Sequence, residues 1–519
     1  MAMASTVISR HFATLAGLRQ VHYRRAGSGS AVLVLHQSPA SSAELIPLIH
    51  ELASHYTVIA PDTPGNGLST PLPIAHPDMD AFAAALIELL DVLGIARVAV
   101  YGFHSGAACA MALAHRYPER VALAVANGYT QMQPAELADI LQHYLPPLRI
   151  EADGTHLAWA WSRIRDQYLY FPWYAHQPSA RLPTGMPRTR QLHESVMDLL
   201  RAGDAYPQAY RAAFNYDRAA VVGELKVPTV IMTARTDALY PYLDLMPEPS
   251  TSVSVHRPAD YAEARQVLRK SLSRYDGPPV PAAAATRPLS RGLWCYFLQT
   301  ASGSLFALRS SDGPGRPLVC CHGSNGSALG LKEMMTPLAG RRPVLAIDLP
   351  GNGESLRPEG ESTSVSVEAQ AGQLAEAVAA AGYTDVDLLA VGWGATVAAE
   401  FARRQPHRVG QLTLVGLQEA QTIGPPIELD DHGLHLLRVW NIMRDQMLYS
   451  PWNQRKRANV LTPPEAALSP QVIHQRTLDT LKCLDALPQI EAAHAGYPLT
   501  ATLTELQEAN LSINFQASP

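Results

Sequence analysis

Two adjacent side chains, His104 and Ser105, have the clearest capacity for chemistry in this sequence. They follow an apolar run at residues 98–101, and glycines at positions 102 and 106 permit a tight turn around them. A histidine gains or loses a proton near neutral pH and can act as a general base. A serine hydroxyl can act as a nucleophile when a base lies beside it. The pattern therefore predicts a reactive turn, with His104 or Ser105 as the acting group.

A carboxylate that could orient the His104 ring is Asp237, which comes shortly after the apolar residues 229–232. In this hypothesis one ring nitrogen donates to Asp237, and the other removes a proton from water or from a substrate. The carboxylate would also stabilise the imidazolium that forms. The pair predicts acid–base catalysis without a covalent intermediate.

The chain contains two copies of one pattern. His36 and Asp62 recur 286 positions later as His322 and Asp348. Two longer blocks also recur in the same order: RYPERV at 116–121 as RQPHRV at 404–409, and RDQYLYFPW at 165–173 as RDQMLYSPW at 444–452. Between the copies, the run GPPVPAAAATRP at 277–288 is typical of an extended linker. We therefore predict one domain at 1–276, a linker at 277–288 and a second domain at 289–519.

Short apolar runs alternate with helical patterns in each half. The runs at 31–35, 56–60, 98–101 and 229–232 predict strands, and the patterns at 79–93 and 106–116 predict helices. Strands that are apolar throughout and separated by helices indicate a parallel sheet covered on both faces. The predicted fold class is α/β, with two doubly wound, mostly parallel sheets.

These motifs together resemble the α/β-hydrolase superfamily over nearly the whole of both halves. The matching pieces are the loops that begin at His36 and His322, the DxPGNG loops at 62–67 and 348–353, and the strand–turn–helix elbow. The resemblance implies a helical cap in each domain, at about 131–219 and 421–490. It also implies that the elbow projects one side chain above the sheet, while the next backbone N–H and one from the loop at 36–38 form an oxyanion hole.

This sequence departs from the superfamily's GxSxG elbow. The family spacing places His104 at the nucleophile position of the first half and Gly392 at that of the second. Asp237 matches the acid position, but Asp260 stands about where the family's separate histidine belongs. In the second half, counting from Pro498 places Gln507 at the acid position, so we expect that half to be non-catalytic.

Further candidate residues lie in the first cap and around the elbow. His156 is the cap residue best suited to direct chemistry, and an arginine with aromatic residues would suit a substrate with a carboxylate and an apolar body. The predicted substrate-binding residues are His36, Gln37, Phe103, Trp161, Arg165, Tyr170 and Trp173. Because the cap pattern recurs in the second half, a structural role in cap packing or in the interface between the halves is the favoured alternative for its members. His36 could instead brace the oxyanion loop.

Composition narrows the range of partners. Hydrophobic residues make up 47% and charged residues 17% of the sequence, and the net charge is −5, which gives no basic face for nucleic acid or membrane. The five cysteines lack paired metal-binding spacing and predict buried thiols in a reducing compartment, hence a cytoplasmic protein. No metal or cofactor motif is convincing. We expect a small-molecule substrate, pairing of the two halves within the chain, and a homo-oligomer as an open alternative.

The favoured function is a metal-free hydrolase of a small organic substrate with an ester, lactone or C–C bond, in which His104 acts as general base with Asp237. Two alternatives stay open. One is a lyase or decarboxylase-like enzyme using the same pocket. The other is an inactive pseudoenzyme that binds a ligand or a protein, because no intact Ser–His–acid triad is present in the sequence.

Overall fold

The computed structural model describes residues 7–283, 286–355, 365–417 and 424–516. The chain separates into two compact units: Met1–Arg149 with Trp159–Arg287, and Ile150–Ala158 with Pro288–Pro519. Residues 150–158, which the sequence analysis assigned to the first domain, therefore group with the second unit. Residues 284–285 of the predicted linker and 421–423 of the predicted second cap lie outside the described residues.

The first unit is built on a sheet that has eight strands within the described residues. Their order across the sheet is β1-β2-β4-β3-β5-β6-β7-β8, with β1 and β2 antiparallel to their neighbours and the rest parallel. The strands are β1 Ser9–Thr14, β2 Gln20–Ala26, β3 Ala31–Leu35, β4 Thr57–Pro61, β5 Val98–Phe103, β6 Val121–Asn127, β7 Thr229–Met232 and β8 Val253–His256.

Helices cover both faces of this sheet. Alternate residues of β3 show why its sequence is apolar throughout: Leu33 and Leu35 belong to one buried cluster, and Val32 and Val34 belong to another. The helices are α1 Ile46–Leu52, α2 Met79–Val92, α3 Ser105–Arg116, α4 Pro134–His143, α5 Thr155–Leu169, α6 Thr189–Ala202, α7 Tyr206–Asn215, α8 Arg218–Glu224 and α9 Tyr261–Leu272. The helices from α4 to α8 lie between β6 and β7 in the chain, where the cap was predicted.

The second unit repeats this arrangement with a seven-stranded sheet among the described residues. Its order, β15-β14-β13-β11-β12-β10-β9, matches that of the first seven strands of the other sheet. The strands are β9 Leu293–Thr300, β10 Gly303–Ser310, β11 Leu318–Cys321, β12 Val344–Ile347, β13 Val386–Val391, β14 Val409–Val415 and β15 Ser512–Gln516. The predicted fold class, with two mostly parallel sheets, is confirmed.

The helices of the second unit follow the same plan. They are α10 Lys332–Met335, α11 Val367–Ala380, α12 Gly394–Arg404, α13 Leu434–Leu448, α14 Pro470–Lys482, α15 Leu487–Ala495 and α16 Leu499–Glu508. The placement of Gln507 at an acid position is wrong, because Gln507 lies on α16, before the strand β15 that corresponds to β7. Across the described ranges, no helix combines the length and apolar character that crossing a bilayer demands.

Candidate active site

His104 occupies the turn between β5 and α3 with the unusual backbone angles φ 48° and ψ −108°. Two glycines make this turn fit. A Cβ on Gly102 would lie 2.1 Å from the carbonyl oxygen of Gly106, and a Cβ on Gly106 would lie 2.5 Å from that of Leu35. The backbone N–H of His104 donates to the carbonyl oxygen of Asn127 at 2.8 Å. The turn therefore holds a non-glycine residue at positive φ, a conformation that costs energy and is common at functional sites.

The His104 ring lies against Asp237, with 2.8 Å between Nε2 and Oδ2. Asp237 follows β7, and its carboxylate is held from two further sides: Leu239 N–H donates to Oδ1 at 2.8 Å, and the Tyr261 hydroxyl donates to Oδ2 at 3.0 Å. The Asp237 side chain is fully buried, whereas 27% of the His104 side chain is exposed. The carboxylate is thus a fixed support, and the imidazole is the member of the pair that a small molecule can reach.

The two groups shift each other's pKa values. Burial alone would lower the pKa of His104, but the charge and hydrogen bond of Asp237, with a further contribution from Glu44, raise it above 6.5. Burial alone would raise the pKa of Asp237, but His104 and the two donors described above lower it. Both shifts favour an ion pair between imidazolium and carboxylate.

The second ring nitrogen of His104 also has a partner. Its Nδ1 lies 3.0 Å from Oε1 of Gln37, and the Gln37 Nε2 donates to Oε1 of Glu44 at 2.5 Å. A polar chain therefore runs from Asp237 through His104 and Gln37 to Glu44. In this arrangement the nitrogen expected to act as a base is engaged by an amide.

The hydroxyl of Ser105 belongs to a different network. It accepts from the backbone N–H of Ser38 at 2.7 Å and donates to the Ser38 hydroxyl at 3.1 Å. These contacts tie the start of α3 to the loop after β3. Ser105 lines the cavity, but its hydroxyl is engaged by that loop, so the geometry gives less support to a nucleophilic role than to a bracing one.

His36 braces the same loop from beneath. Its Nδ1 donates to the carbonyl oxygen of Gln37 at 2.8 Å, and its Nε2 accepts from the backbone N–H of Thr63 at 2.9 Å. His322 repeats both contacts in the second unit, with Gly323 and Leu349. His36 is buried and burial lowers its pKa, so it is a neutral ring that holds the loop after β3.

A cavity of about 730 Å³ opens above the His104 ring. Five of the residues singled out in the sequence line it: Gln37, Phe103, His104, Ser105 and Asp237. The wall is completed mainly by aromatic and aliphatic side chains of the cap and the neighbouring loops, including Tyr144, Phe171, Leu182, Phe214 and Leu239. The site is therefore a mostly apolar pocket with a few polar groups, which is the usual character of a small-molecule site.

The structure does not bring the predicted cap residues to this cavity. Trp161 is buried, Arg165 pairs with Asp166, and the Trp173 ring N–H donates to the carbonyl oxygen of Tyr144 at 3.1 Å. The Tyr170 ring packs edge-on against His176, with 5.3 Å between centroids. None of these four residues, nor His36, is among the cavity-lining residues of the described chain. Their contacts support the alternative of packing within the cap.

His156 groups with the second unit and is not among the described residues that line the cavity. Its Nε2 is 3.1 Å from Nδ1 of His474, and its ring meets that of Trp440 edge-on at 5.0 Å. Burial lowers its pKa to about 4, so the ring is neutral near pH 7. The proposed catalytic role for His156 therefore has no support in this geometry.

Sequence reasoning missed three contributors to the site: Glu44, Gly128 and Tyr261. Gly128 has φ +77°, and a Cβ there would lie 2.2 Å from Cδ2 of His104, so only glycine leaves room for the ring. Tyr261 directly follows the position where the separate histidine was sought, which was the available signal. Glu44 had none, because it lies on the short 3-10 helix Ser42–Leu45, whose approach to His104 depends on the fold.

The elbow of the second unit keeps its shape without a reactive side chain. Gly392 has φ 51°, and its N–H donates to the carbonyl oxygen of Val415 at 3.1 Å, as His104 does with Asn127. Nearby, Nδ1 of His494 lies 2.6 Å from the Thr396 hydroxyl, and burial lowers the pKa of that ring to about 4. Among the described residues no cluster of side chains in either unit has the makings of a metal site.

Fold and site together define a class of protein. The family model described as the alpha/beta hydrolase fold matches residues 30–253 and again residues 316–514. The chain therefore belongs to the α/β-hydrolase fold family and carries the family domain twice.

Curated relatives match only part of their own length. An uncharacterised protein of Mycobacterium bovis is 37% identical over 123 residues, 23% of this chain and 36% of that protein. A soluble epoxide hydrolase of Corynebacterium is 39% identical over 111 residues, 21% of this chain and 38% of that protein. A 2-(acetamidomethylene)succinate hydrolase of Mesorhizobium japonicum is 30% identical over 145 residues, 27% of this chain and 52% of that protein. The matches thus span about a third to a half of these relatives.

Solved structures of epoxide hydrolases also align with about half of the chain. One from Vigna radiata has a TM-score of 0.43 at 17% identity, covering 52% of this chain and 99% of that one. Another, epoxide hydrolase A from Mycobacterium thermoresistibile, has a TM-score of 0.40 at 18% identity, covering 52% and 100%.

Proposed function

We propose that this protein is a hydrolase of a small organic substrate, with its working site in the first unit. The observation that carries the proposal is the contact between Nε2 of His104 and Oδ2 of Asp237 at the base of the cavity. His104 stands at the position where the family has its nucleophilic serine. Its imidazole can accept and donate a proton, and the contact with Asp237 holds the ring in place. Direct attack by water therefore fits the residues better than an acyl-enzyme. The soluble epoxide hydrolase and the 2-(acetamidomethylene)succinate hydrolase among the relatives support the hydrolytic class.

His104 acts as base only in its neutral form. Nε2–H then donates to Asp237, and the Nδ1 lone pair faces the site that Gln37 Oε1 occupies in the structure. The Nδ1 lone pair and the amide oxygen are both acceptors and cannot share a contact without a proton between them. The Gln37 amide must therefore turn over, or a water must take its place, before Nδ1 can accept a proton. The pKa of His104 lies above 6.5, so the base form increases as the pH rises above that value.

The charge that develops on the attacked group needs backbone donors. The N–H of Ser105 stands in the first turn of α3, where helical N–H groups have no partner within the helix. The Ser38 N–H is already engaged by the Ser105 hydroxyl, so the loop donor must come from Gln37, whose N–H makes only a long 3.4 Å contact with Glu44. The expected oxyanion donors are therefore Ser105 N–H and Gln37 N–H.

A panel of esters, lactones, epoxides and β-diketones tests the proposal, with His104→Ala and Asp237→Asn as the decisive variants. Each is expected to lower kcat/KM by about 100-fold or more, because general-base catalysis contributes roughly that much. His115→Ala is the control, since His115 makes its contact with Glu224 on the surface. Turnover that survives His104→Ala undiminished would overturn the base assignment.

Single turnover in ¹⁸O-labelled water, followed by mass spectrometry of product and protein, separates the possible routes. Direct attack places the label in the product and forms no covalent adduct on the protein, and Ser105→Ala should then retain turnover. A covalent adduct on Ser105 in the quenched protein, or loss of turnover in Ser105→Ala with His104 intact, would instead indicate a nucleophilic serine. Products formed without incorporation of water would indicate a lyase, and ligand binding without turnover would indicate a pseudoenzyme.

A further inference from the structure

Glu44 is a carboxylate in the cavity that the proposed mechanism has not yet used. It lies on the turn at residues 42–45 between β3 and α1, and it lines the same cavity as His104. Its Oε1 accepts from Nε2 of Gln37 at 2.5 Å. The side chain is open to the cavity, yet surrounding protein atoms bury it enough to raise its pKa to about 7, although Gln37 and the His104 charge act in the opposite direction.

The structure places the Gln37 amide with its nitrogen toward Glu44 and its oxygen 3.0 Å from Nδ1 of His104. In this orientation the Glu44 oxygen accepts, as an ionised carboxylate does. The amide oxygen can only accept a hydrogen bond, so this contact requires a proton on Nδ1 of His104. The contact with the Asp237 carboxylate requires a proton on Nε2 for the same reason. The observed arrangement is therefore Glu44 ionised and His104 doubly protonated.

Turning the amide over reverses both assignments. The amide nitrogen would then donate to the Nδ1 lone pair of a neutral His104, and the amide oxygen would accept a proton from a neutral Glu44 carboxyl. The two arrangements hold the same number of protons and the same net charge, since one proton has moved from the imidazole to the carboxyl. The Gln37 amide can satisfy either arrangement but no mixture of the two.

We propose that Glu44 is the second acid–base group of this cavity and that the Gln37 amide couples its protonation to that of His104. The proposal rests on the proposed function and goes beyond it by giving the reaction two proton carriers instead of one. Neutral His104 removes a proton from water as the water oxygen bonds to the electrophilic carbon, and neutral Glu44 gives its proton to the leaving group as the bond to that group breaks. This leaves a His104 imidazolium and an ionised Glu44, and transfer of one proton from the imidazole to the carboxyl restores the starting state.

Other charged and titratable groups surround Glu44 and bear on its titration. Asp198, on α6, raises its pKa, and the His104 charge lowers it. Among the described residues, the remaining such groups that line the cavity or interact with Glu44 are Tyr101, Tyr144, Tyr168, Tyr210, Arg218, Asp237, Tyr261 and Arg265. Asp198 is a matched control for Glu44, because it is a nearby buried carboxylate whose contacts run to Ser41 and Arg201.

The ring ¹⁵N shifts of His104, followed by NMR as a function of pH, test the coupling without any substrate. His104→Gln assigns the signals among the 19 histidines of the chain. Wild-type protein should show both His104 nitrogens protonated below pH 7 and a second inflection near pH 7, where Glu44 titrates. Glu44→Gln should remove that inflection and lower the pKa of His104 by about one unit, since it removes a nearby negative charge.

The control variants separate the route through Gln37 from general electrostatics. Asp198→Asn should keep the inflection and move it to lower pH, because Asp198 raises the Glu44 pKa. Gln37→Leu should remove the inflection while leaving both titrating groups in place. A single-step His104 titration in the wild type, or one that Glu44→Gln and Asp198→Asn change alike, would overturn the coupling.

Kinetics distinguish a failure of this proposal from a failure of the proposed function. If the function is right and the coupling is right, Glu44→Gln lowers kcat by about 100-fold and removes one limb of the pH–kcat profile. If Glu44→Gln leaves kcat and the profile unchanged while His104→Ala abolishes turnover, Glu44 is not an acid–base group and the hydrolase assignment stands. If no substrate is turned over, the NMR titration still decides the coupling.

Discussion

Gly128 offers a direct test of how the His104 ring is held. Its φ is +77°, and an alanine Cβ would lie 2.2 Å from Cδ2 and 2.9 Å from Nε2 of His104. Nε2 is the atom that contacts Asp237 at 2.8 Å. Ordinary contacts to a Cβ begin near 3.4 Å, so the ring must move by about 1 Å in Gly128→Ala. The contact with Asp237 does not survive a shift of that size with good geometry.

The energetic cost has two parts. An alanine at positive φ costs about 1–2 kcal/mol from backbone strain alone. Loss of a hydrogen bond between charged groups costs about 1.5–3 kcal/mol, and the partial exposure of His104 favours the lower end. Gly17→Ala is the matched control, because Gly17 has φ +68° and an alanine Cβ there would have no atom within 4 Å. Gly128→Ala should therefore be less stable than Gly17→Ala by about 2 kcal/mol.

Two measurements check this expectation. Denaturant unfolding gives the difference in stability between the two variants, and the His104 NMR titration reports the ring itself. In Gly128→Ala the pKa of His104 should fall from its raised value, because Asp237 is the main group raising it. Equal stability of the two variants, together with a wild-type His104 pKa in both, would refute the account of the ring's support.

Single contacts elsewhere in the chain support three further predictions. In Gly106→Ala the new Cβ would lie 2.5 Å from the carbonyl oxygen of Leu35. The substitution should distort the elbow and lower the free energy of unfolding of the first unit by about 2 kcal/mol or more. An unchanged midpoint in denaturant unfolding would contradict this. Tyr261→Phe removes a donor to the Asp237 carboxylate, so the pKa of Asp237, read from its ¹³C carboxyl shift, should rise, and a fall would contradict the assignment. Burial holds the pKa of His156 at about 4 in the folded protein, against 6.5 in the unfolded chain. The free energy of unfolding should therefore decline as the pH falls from 6.5 to 4, and it should decline less steeply in His156→Gln. Equal slopes in the two proteins would contradict this.

Much of the fold could be predicted from the sequence, because strands that are buried on both faces appear as continuous apolar runs. The bounds predicted for β3 and β7 are those of the structure, and α2 ends one residue earlier than expected. The prediction for Gln507 was wrong because a count from Pro498 has no local feature to fix it. In the structure Gln507 lies on the helix α16, and the strand β15 comes after it.

Part of the candidate site could be predicted from the sequence, and part could not. His104 and Asp237 each stand at the end of a predicted strand of one parallel sheet, which places them at a common edge, and the structure has them in contact. The cap residues were predicted from their residue types. The sequence did not show which side of their helix faces the cavity. Helical periodicity shows which residues share a face, but it does not show what that face meets.

The sequence by itself determined the duplicated α/β-hydrolase architecture and the replacement of the elbow serine by His104, because strand burial, turn glycines and repeated blocks are local properties. Tertiary structure alone decided that Gln37 and Glu44 continue the chain of contacts beyond the imidazole, and that Gly128 makes room for it. Gln37 and Glu44 belong to the connection between β3 and α1, whereas Gly128 follows β6. Their approach to His104 depends on how these loops pack, which no short stretch of sequence encodes.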